Sequence, residues 1–197
     1  TATPIAGSLF SQKPGDTTYL CIADAEGTFV SYITSISNAF GCGWIAGDTG
    51  ILLNDRVARG FSLDPASPNV LEAGKRTMHT LMPVLMTDGD WTCAIGTPGG
   101  DRQPQWGLQG LHRLAAEDRS APDLSAVCAM PRWQVKPGMG DAERGAPTVL
   151  HMEGGFPDET VDALKARGHD VVVGASGGGG GALQAVCGDA GLQFAAA

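Results

Sequence analysis

The chain contains no long hydrophobic run and little positive charge, and both absences narrow the possible functions. No apolar stretch approaches the roughly eighteen residues that a membrane-spanning helix requires. Only 13 of the 197 residues are Lys or Arg, against 21 Asp or Glu, and the formal net charge is −8. Nucleic-acid binding depends on clustered cations, and the basic residues here are scattered. We therefore expect neither a membrane protein nor a nucleic-acid-binding protein.

The cysteines lack the spacing of a metal site or a redox motif. They are odd in number, far apart and without a C-x-x-C pair, at positions Cys21, Cys42, Cys93, Cys128 and Cys187. Four of them have apolar neighbours, which favours buried free thiols over disulfides. Free thiols are typical of a reducing compartment, so we expect a cytoplasmic location.

Sequence signatures of several common catalytic sites are also missing. The four histidines stand at no metal-ligand spacing, and no H-E-x-x-H is present, so we expect no metal centre. No Gly-Lys-Ser/Thr follows a glycine-rich loop, which argues against a nucleotide site, and we expect no cofactor. No G-x-S-x-G elbow supports a Ser-His-Asp hydrolase.

The chain does contain short strand-like runs, glycine-rich turns and a few helical patterns. Residues 1–16 are rich in Pro, Gly, Ser and Thr, which predicts a linker or the end of a pro-segment. Residues 17–197 predict one α+β domain, with strand pairs before residue 100, helices within 101–118 and 121–130, and a helix–strand unit at 157–174. The polar, proline-containing stretch after residue 53 predicts a loop. Strands, then helices, then strands favour a layered fold in which helices cover sheets.

Two short stretches contain candidate chemistry. Thr17 and Thr18 stand where the first predicted strand begins, and they can be ordinary β-branched strand residues. If a precursor were cut just before Thr17, its hydroxyl could instead use its own α-amine as a base. The GTPGGD segment is either a tight turn or an oxyanion site built from the N–H groups of Gly99 and Gly100. The residues alone leave these alternatives open.

The order of several motifs resembles the small, C-terminal subunit of the gamma-glutamyltranspeptidase family. TTYLCIADAEGTFVSYITSISNAFGCGWIAGDTGILLND resembles its opening, and GKRTMHTLMPVLM, GTPGGD, MPRW and GFPDETVDALKARGHDV follow in the family's order. The resemblance implies an N-terminal-nucleophile (Ntn) hydrolase with an αββα four-layer sandwich. It also implies a separate large subunit from the same precursor, which cuts itself, and a small-molecule amide as substrate.

The resemblance also implies site residues. By position, Thr17 matches the nucleophile, Ser35 a hydroxyl that hydrogen-bonds the nucleophile's amine, and Gly99 with Gly100 the oxyanion pair. Substrate-binding positions are matched by Thr18, Arg56, Arg59, His79 and Thr80. The two arginines replace a carboxamide and a carboxylate that hold a substrate ammonium in the family. A cation there repels an ammonium and suits a carboxylate, so we expect an anionic substrate and an acyl-threonine ester as intermediate.

Three alternatives stay open from the sequence. Sixteen residues precede Thr17, so Thr1 can be the processed terminus instead, although the family register favours Thr17. The chain can also be an antibiotic-pathway homologue that cleaves a C–C bond. Finally, it can be a non-catalytic processed homologue that serves as a binding or scaffold subunit.

Overall fold

The structure is a computed structural model that describes residues 2–4, 16–137, 145–177, 180–189 and 193–196. The strands are β1 (Ala2–Pro4), β2 (Asp16–Ala23), β3 (Phe29–Ser37), β4 (Trp44–Ala46), β5 (Val84–Asp88), β6 (Trp91–Gly96), β7 (Trp133–Lys136), β8 (Val149–Met152), β9 (Val171–Val173), β10 (Gln184–Gly188) and β11 (Gln193–Ala196). The helices are α1 (Arg56–Gly60), α2 (Gln103–Leu114), α3 (Leu124–Ala129) and α4 (Asp158–Ala166), with a 3-10 turn at Gly100–Arg102.

Strands β2 and β3 form the antiparallel hairpin that the sequence predicts. Side chains alternate between its two faces because successive residues of a strand point in opposite directions. On the inner face, Tyr19 and Ile33 are paired and buried. On the outer face, paired residues of the two strands are exposed and largely apolar, namely Leu20, Ile22, Val30 and Tyr32. The hairpin therefore has one packed face and one open face.

The inner face of the hairpin packs on a four-stranded antiparallel sheet with the order β11-β10-β6-β5. Helices α2 and α3 cover the opposite face of this sheet, so its central strands are buried on both sides. The core between sheet and helices includes Ile95, Leu114, Val127 and Leu183. The chain thus contributes three layers (hairpin, sheet and helices), which confirms the α+β expectation.

A second group of strands lies beside α2; β9 belongs to the predicted helix–strand unit at 157–174, whereas β7 and β8 were not predicted. Strand β7 pairs antiparallel with β8, and β8 pairs parallel with β9. The helix is joined to β7 by side-chain amides. Gln109 accepts a hydrogen bond from Trp133 N at 3.0 Å and donates to Trp133 O at 2.9 Å. One turn earlier, Gln105 bonds the N–H and C=O of Val135 in the same way. These amides replace a neighbouring strand at the edge of β7.

The structure corrects the expectation of free thiols at two positions. Cys93 and Cys187 face each other on β6 and β10, are fully buried and form a disulfide. The residues beside them in the sequence are apolar because both cysteines lie at the centre of the sheet. The two cysteines are 94 residues apart, so the sequence alone does not show that they pair. The remaining cysteines are free, so the cytoplasmic location loses part of its support and stays a prediction.

Two segments differ locally from the expected loops. Part of the predicted linker, Ala2–Pro4, is a strand that pairs with Trp44–Ala46, while residues 1 and 5–15 lie outside the described residues. The polar stretch after residue 53 contains the short helix α1. Among the helices of the described residues, none has the length and hydrophobicity needed to cross a membrane.

Candidate active site

Thr17 lies at the start of β2, and its hydroxyl donates a hydrogen bond to the Ser35 hydroxyl at 3.0 Å. The two residues are direct partners across the hairpin. Ser35 Oγ also accepts from the Ser37 backbone N–H at 3.0 Å, which fixes the position of this hydroxyl. The hairpin register shifts between Asp16 and Thr17, so the ladder is irregular at the bond that precedes the threonine. The structure therefore places Ser35 beside Thr17, but Ser35 hydrogen-bonds the side-chain hydroxyl of Thr17 and not the amine that the resemblance implied.

The glycine-rich corner after β6 requires glycine at several positions. A Cβ at Gly96 would lie 2.4 Å from the Tyr19 ring, and a Cβ at Gly99 would lie 2.9 Å from the Trp106 ring. Gly100 has a φ of +59°, in the left-handed region that favours glycine. The corner can thus approach a bound group closely, because no side chain shields its backbone.

Thr17, Gly99 and Gly100 line one cleft of about 870 Å³. A threonine hydroxyl can attack a carbonyl carbon when a base is beside it, and the backbone of adjacent glycines can hold the carbonyl oxygen. Ionisable residues in the wall of the same cleft are Arg59, Asp101, Arg102, Lys136 and His151. Positive charge is in excess there, although the whole chain carries −8.

The two arginines of α1 differ in their surroundings. Arg59 lines the cleft, pairs with Asp101 at 3.3 Å and lies beside Gly100, where a Cβ would be 3.3 Å from its Nη2. Arg56 is not among the lining residues. Burial, and then the positive charge of Arg59, lowers the pKa of Arg56. Its Nη1 is buried and has no hydrogen-bond partner among the described residues.

Comparison with known proteins shows the family of this chain. A model of the family described as Gamma-glutamyltranspeptidase matches residues 4–197. The chain belongs to this family. It is 40% identical over 159 residues to the glutathione hydrolase-like YwrD proenzyme of Bacillus subtilis, covering 80% of this chain and 29% of that protein. It is 35% identical over 161 residues to the oxamate amidohydrolase proenzyme of Klebsiella pneumoniae, covering 81% of this chain and 29% of that protein.

The solved structure of a related protein has the same fold. The cephalosporin acylase from Bacillus halodurans is 30% identical, with a TM-score of 0.70, covering 90% of this chain and 33% of that chain. The Ntn-hydrolase fold that the resemblance implied is therefore confirmed. The chain spans less than a third of the length of the two curated relatives.

Four of the five predicted substrate-binding residues, Arg56 among them, do not line the cleft in this gamma-glutamyltranspeptidase family member. Thr18 is exposed on the outer face of the hairpin, since it follows Thr17 in a strand and points the opposite way. His79 is exposed and Thr80 is buried in the segment before β5, and neither lines the cleft. The structure brings only Arg59, of the five, to the cleft wall.

The sequence analysis missed the part of the cleft wall that β7 and β8 provide. Gln134 and Lys136 on β7 and His151 on β8 line it. Burial, and then the positive charge of Lys136, lowers the pKa of His151. The MPRW motif, which resembles the family, leads into this wall, because its Trp133 is the first residue of β7. Within the described residues no group of three or more His, Cys, Asp or Glu side chains can hold a metal ion.

Proposed function

We propose that this chain is the C-terminal catalytic part of a precursor that is cut before Thr17 and then cleaves an amide. The observation that carries the proposal is that Thr17 lines one cleft together with Gly99 and Gly100. The Thr17 hydroxyl is hydrogen-bonded to the Ser35 hydroxyl at 3.0 Å. The two curated relatives are named proenzymes, which supports a processing step. Strand β1 pairs with β4 rather than with the hairpin, which favours Thr17 over Thr1 as the processed residue.

The reaction follows from the positions of these groups. The freed α-amine of Thr17 accepts the proton of its own hydroxyl while the oxygen attacks the amide carbon. The N–H groups of Gly99 and Gly100 stabilise the oxyanion that forms. The C–N bond then breaks, the departing nitrogen takes the proton, and an acyl-threonine ester is left. Water, or an acceptor amine, attacks the ester and restores the Thr17 hydroxyl. Ser35 holds the Thr17 hydroxyl in place before the attack and again after the ester is resolved.

The substrate class is inferred from charge. Arg59 stands beside Gly100 and is 35% exposed in its side chain, so it can reach a bound acyl group. An ammonium 4 Å from this guanidinium would be repelled by about 4 kcal/mol in surroundings typical of a protein surface, and the paired carboxylate of Asp101 offsets part of that repulsion. A carboxylate would be attracted, and an arginine can bind it with two hydrogen bonds. We infer that the substrate is the monoamide of a dicarboxylic acid.

The names of the relatives are compatible with this class. The name of the Klebsiella protein mentions oxamate. Oxamate is the monoamide of oxalic acid, and it has a carboxylate next to its amide. The Bacillus halodurans neighbour is named an acylase. Neither name specifies the acyl chain of the present substrate.

The missing part of the precursor is the proposed partner. The exposed apolar face of the hairpin has no covering layer among the described residues, and apolar patches of this kind mark contact surfaces. A large subunit from the same precursor would cover it and complete the four-layer sandwich.

Two chromogenic amides with the same leaving group test the substrate class. Glutaryl-p-nitroanilide and γ-glutamyl-p-nitroanilide differ by one α-ammonium group, so their kcat/KM ratio measures its effect. We expect the full-length, processed protein to favour the glutaryl compound by at least about tenfold, equivalent to about 1.4 kcal/mol. Equal turnover, or a preference for the γ-glutamyl compound, would refute the assignment. Absence of turnover with both would favour the non-catalytic alternative.

A further inference from the structure

We propose that Arg102 is a positioning residue, which orients the Gly100 N–H toward the reacting oxygen by holding the carbonyl of Gly99. The inference rests on the proposed function, since it assigns the corner its oxyanion role. Arg102 follows the glycine pair at the end of the 3-10 turn that precedes α2.

Two hydrogen bonds from one residue fix the Gly99 carbonyl. Arg102 Nε donates to Gly99 O at 3.0 Å, and the Arg102 backbone N–H donates to the same oxygen at 3.2 Å. The Gly99–Gly100 peptide is trans and planar, so its C=O and N–H point in opposite directions. A carbonyl held toward Arg102 therefore sends the Gly100 N–H away from Arg102. Gly100, Arg102 and Thr17 all line the cleft, and the proposal assigns the Gly100 N–H to the part of it beside Thr17.

A buried tryptophan supports the arginine and the glycine together. The Arg102 guanidinium stacks over the Trp106 ring at 4.8 Å, and Trp106 is 1% exposed. The same ring lies 2.9 Å from the position of a Cβ on Gly99. Because the indole occupies this space, position 99 has no room for a side chain, and the Gly99 backbone lies against the ring that the Arg102 guanidinium also contacts.

Arg132 stabilises the corner from a second direction. Its guanidinium lies 4.1 Å from the Trp106 centroid and donates to both carboxylate oxygens of Glu153. It also donates to Gly181 O at 3.1 Å. A Cβ on Gly181 would lie 2.3 Å from Pro98 O, so this backbone presses against the residue before the glycine pair. The glycine corner is thus confined between two arginines that share one indole.

The charge of Arg102 adds a second effect to its geometry. Burial, and then the positive charge of Arg132, lowers the pKa of Arg102, but a guanidinium stays protonated at neutral pH. A hydrogen bond from a cation to a carbonyl is stronger than one from a neutral donor. It polarises the peptide, which makes the N–H of Gly100 a better donor to an oxyanion.

Steady-state kinetics with a matched control test the proposal. The variants are R102M, R102K and R119M, made in the full-length protein and assayed with glutaryl-p-nitroanilide. Arg119 also stacks on a tryptophan but lies at the surface, away from the cleft. We expect R102M to lower kcat by about 10²-fold, the effect of losing one oxyanion donor, with KM changed less than twofold. R102K should recover little, because its ammonium lacks Nε, and R119M should match the parent.

Hydrogen–deuterium exchange supplies a readout that needs no turnover. The backbone amides of residues 96–102 should exchange faster in R102M than in the parent, and R119M should leave them unchanged. Parent-like exchange and parent-like kcat in R102M would overturn the positioning role. A loss of thermal stability without faster local exchange would also overturn it, since that is the result of a purely structural arginine. Faster local exchange in a protein that shows no turnover would support positioning while refuting the proposed function.

Discussion

Two arginine–carboxylate pairs in this chain are each stacked on a tryptophan, and they differ in their surroundings. Arg132 and Glu153 lie behind the glycine corner, and each side chain is 8% exposed. Arg119 and Asp88 lie near the β5–β6 turn, with side chains that are 52% and 58% exposed. Arg132 is 4.1 Å from the centroid of Trp106, whereas Arg119 is 5.5 Å from that of Trp91.

The comparison shows that burial, more than the type of contact, determines what such a pair does. The buried pair replaces water with several protein hydrogen bonds, and it links the MPRW segment to the residue that follows β8 and to the loop before β10. In the surface pair, water competes with each side chain for the hydrogen bonds of its partner. We expect the first to determine the geometry of the cleft and the second to contribute little.

The largest effect is expected from breaking the buried pair. R132M leaves the Glu153 carboxylate buried without its cation, which costs about 3–5 kcal/mol of unfolding free energy. Urea denaturation followed by tryptophan fluorescence measures it. A loss below about 1 kcal/mol would show that Glu153 finds other partners or water, and would remove the distinction between the two pairs.

An intermediate effect is expected at the half-exposed pair of Arg59 and Asp101, with side chains that are 35% and 20% exposed. R59Q removes the proposed carboxylate-binding cation, so KM for glutaryl-p-nitroanilide should rise about tenfold, which corresponds to about 1.4 kcal/mol. KM for γ-glutamyl-p-nitroanilide should stay the same or fall. R113Q, on the exposed side of α2, is the matched control. An equal rise in KM for both compounds would show that Arg59 does not distinguish the anionic substrate from the γ-glutamyl compound.

The smallest effect is expected at the surface pair. R119M should change the unfolding free energy by less than about 1 kcal/mol, because exposed ion pairs are weak and are screened by salt. The same urea titration at low and high salt measures it. A loss approaching that of R132M would contradict the role assigned to burial.

Local patterns in the sequence were sufficient for much of the fold. Two β-favouring runs around a short turn predict the hairpin of β2 and β3. Apolar residues at helical spacing predict α2, although one of them is 64% exposed; they are Trp106, Leu108, Leu111, Leu114 and Ala115. Strands β7 and β8 escaped notice because they are four residues long and because α2 glutamines, not a strand, complete one edge of β7. Such pairing leaves no periodic signal in the strand itself.

The candidate site divides in the same way. Thr17, Ser35 and the glycine pair lie in short motifs, and each motif can be recognised in the sequence by itself. The wall formed by Lys136 and His151 depends on how the β7–β8 sheet docks on α2, which no local pattern encodes. The Cys93–Cys187 disulfide is likewise a consequence of strand register.

Mass spectrometry of the trapped acyl-enzyme tests the central claim most directly. The processed, full-length protein is mixed with glutaryl-p-nitroanilide, quenched in acid and digested. We expect one glutaryl group, on the N-terminal peptide that begins with Thr17, and none in T17A, while T34A on the exposed face of the hairpin should acylate normally. An adduct on another residue, or turnover while the bond before Thr17 is intact, would contradict the account.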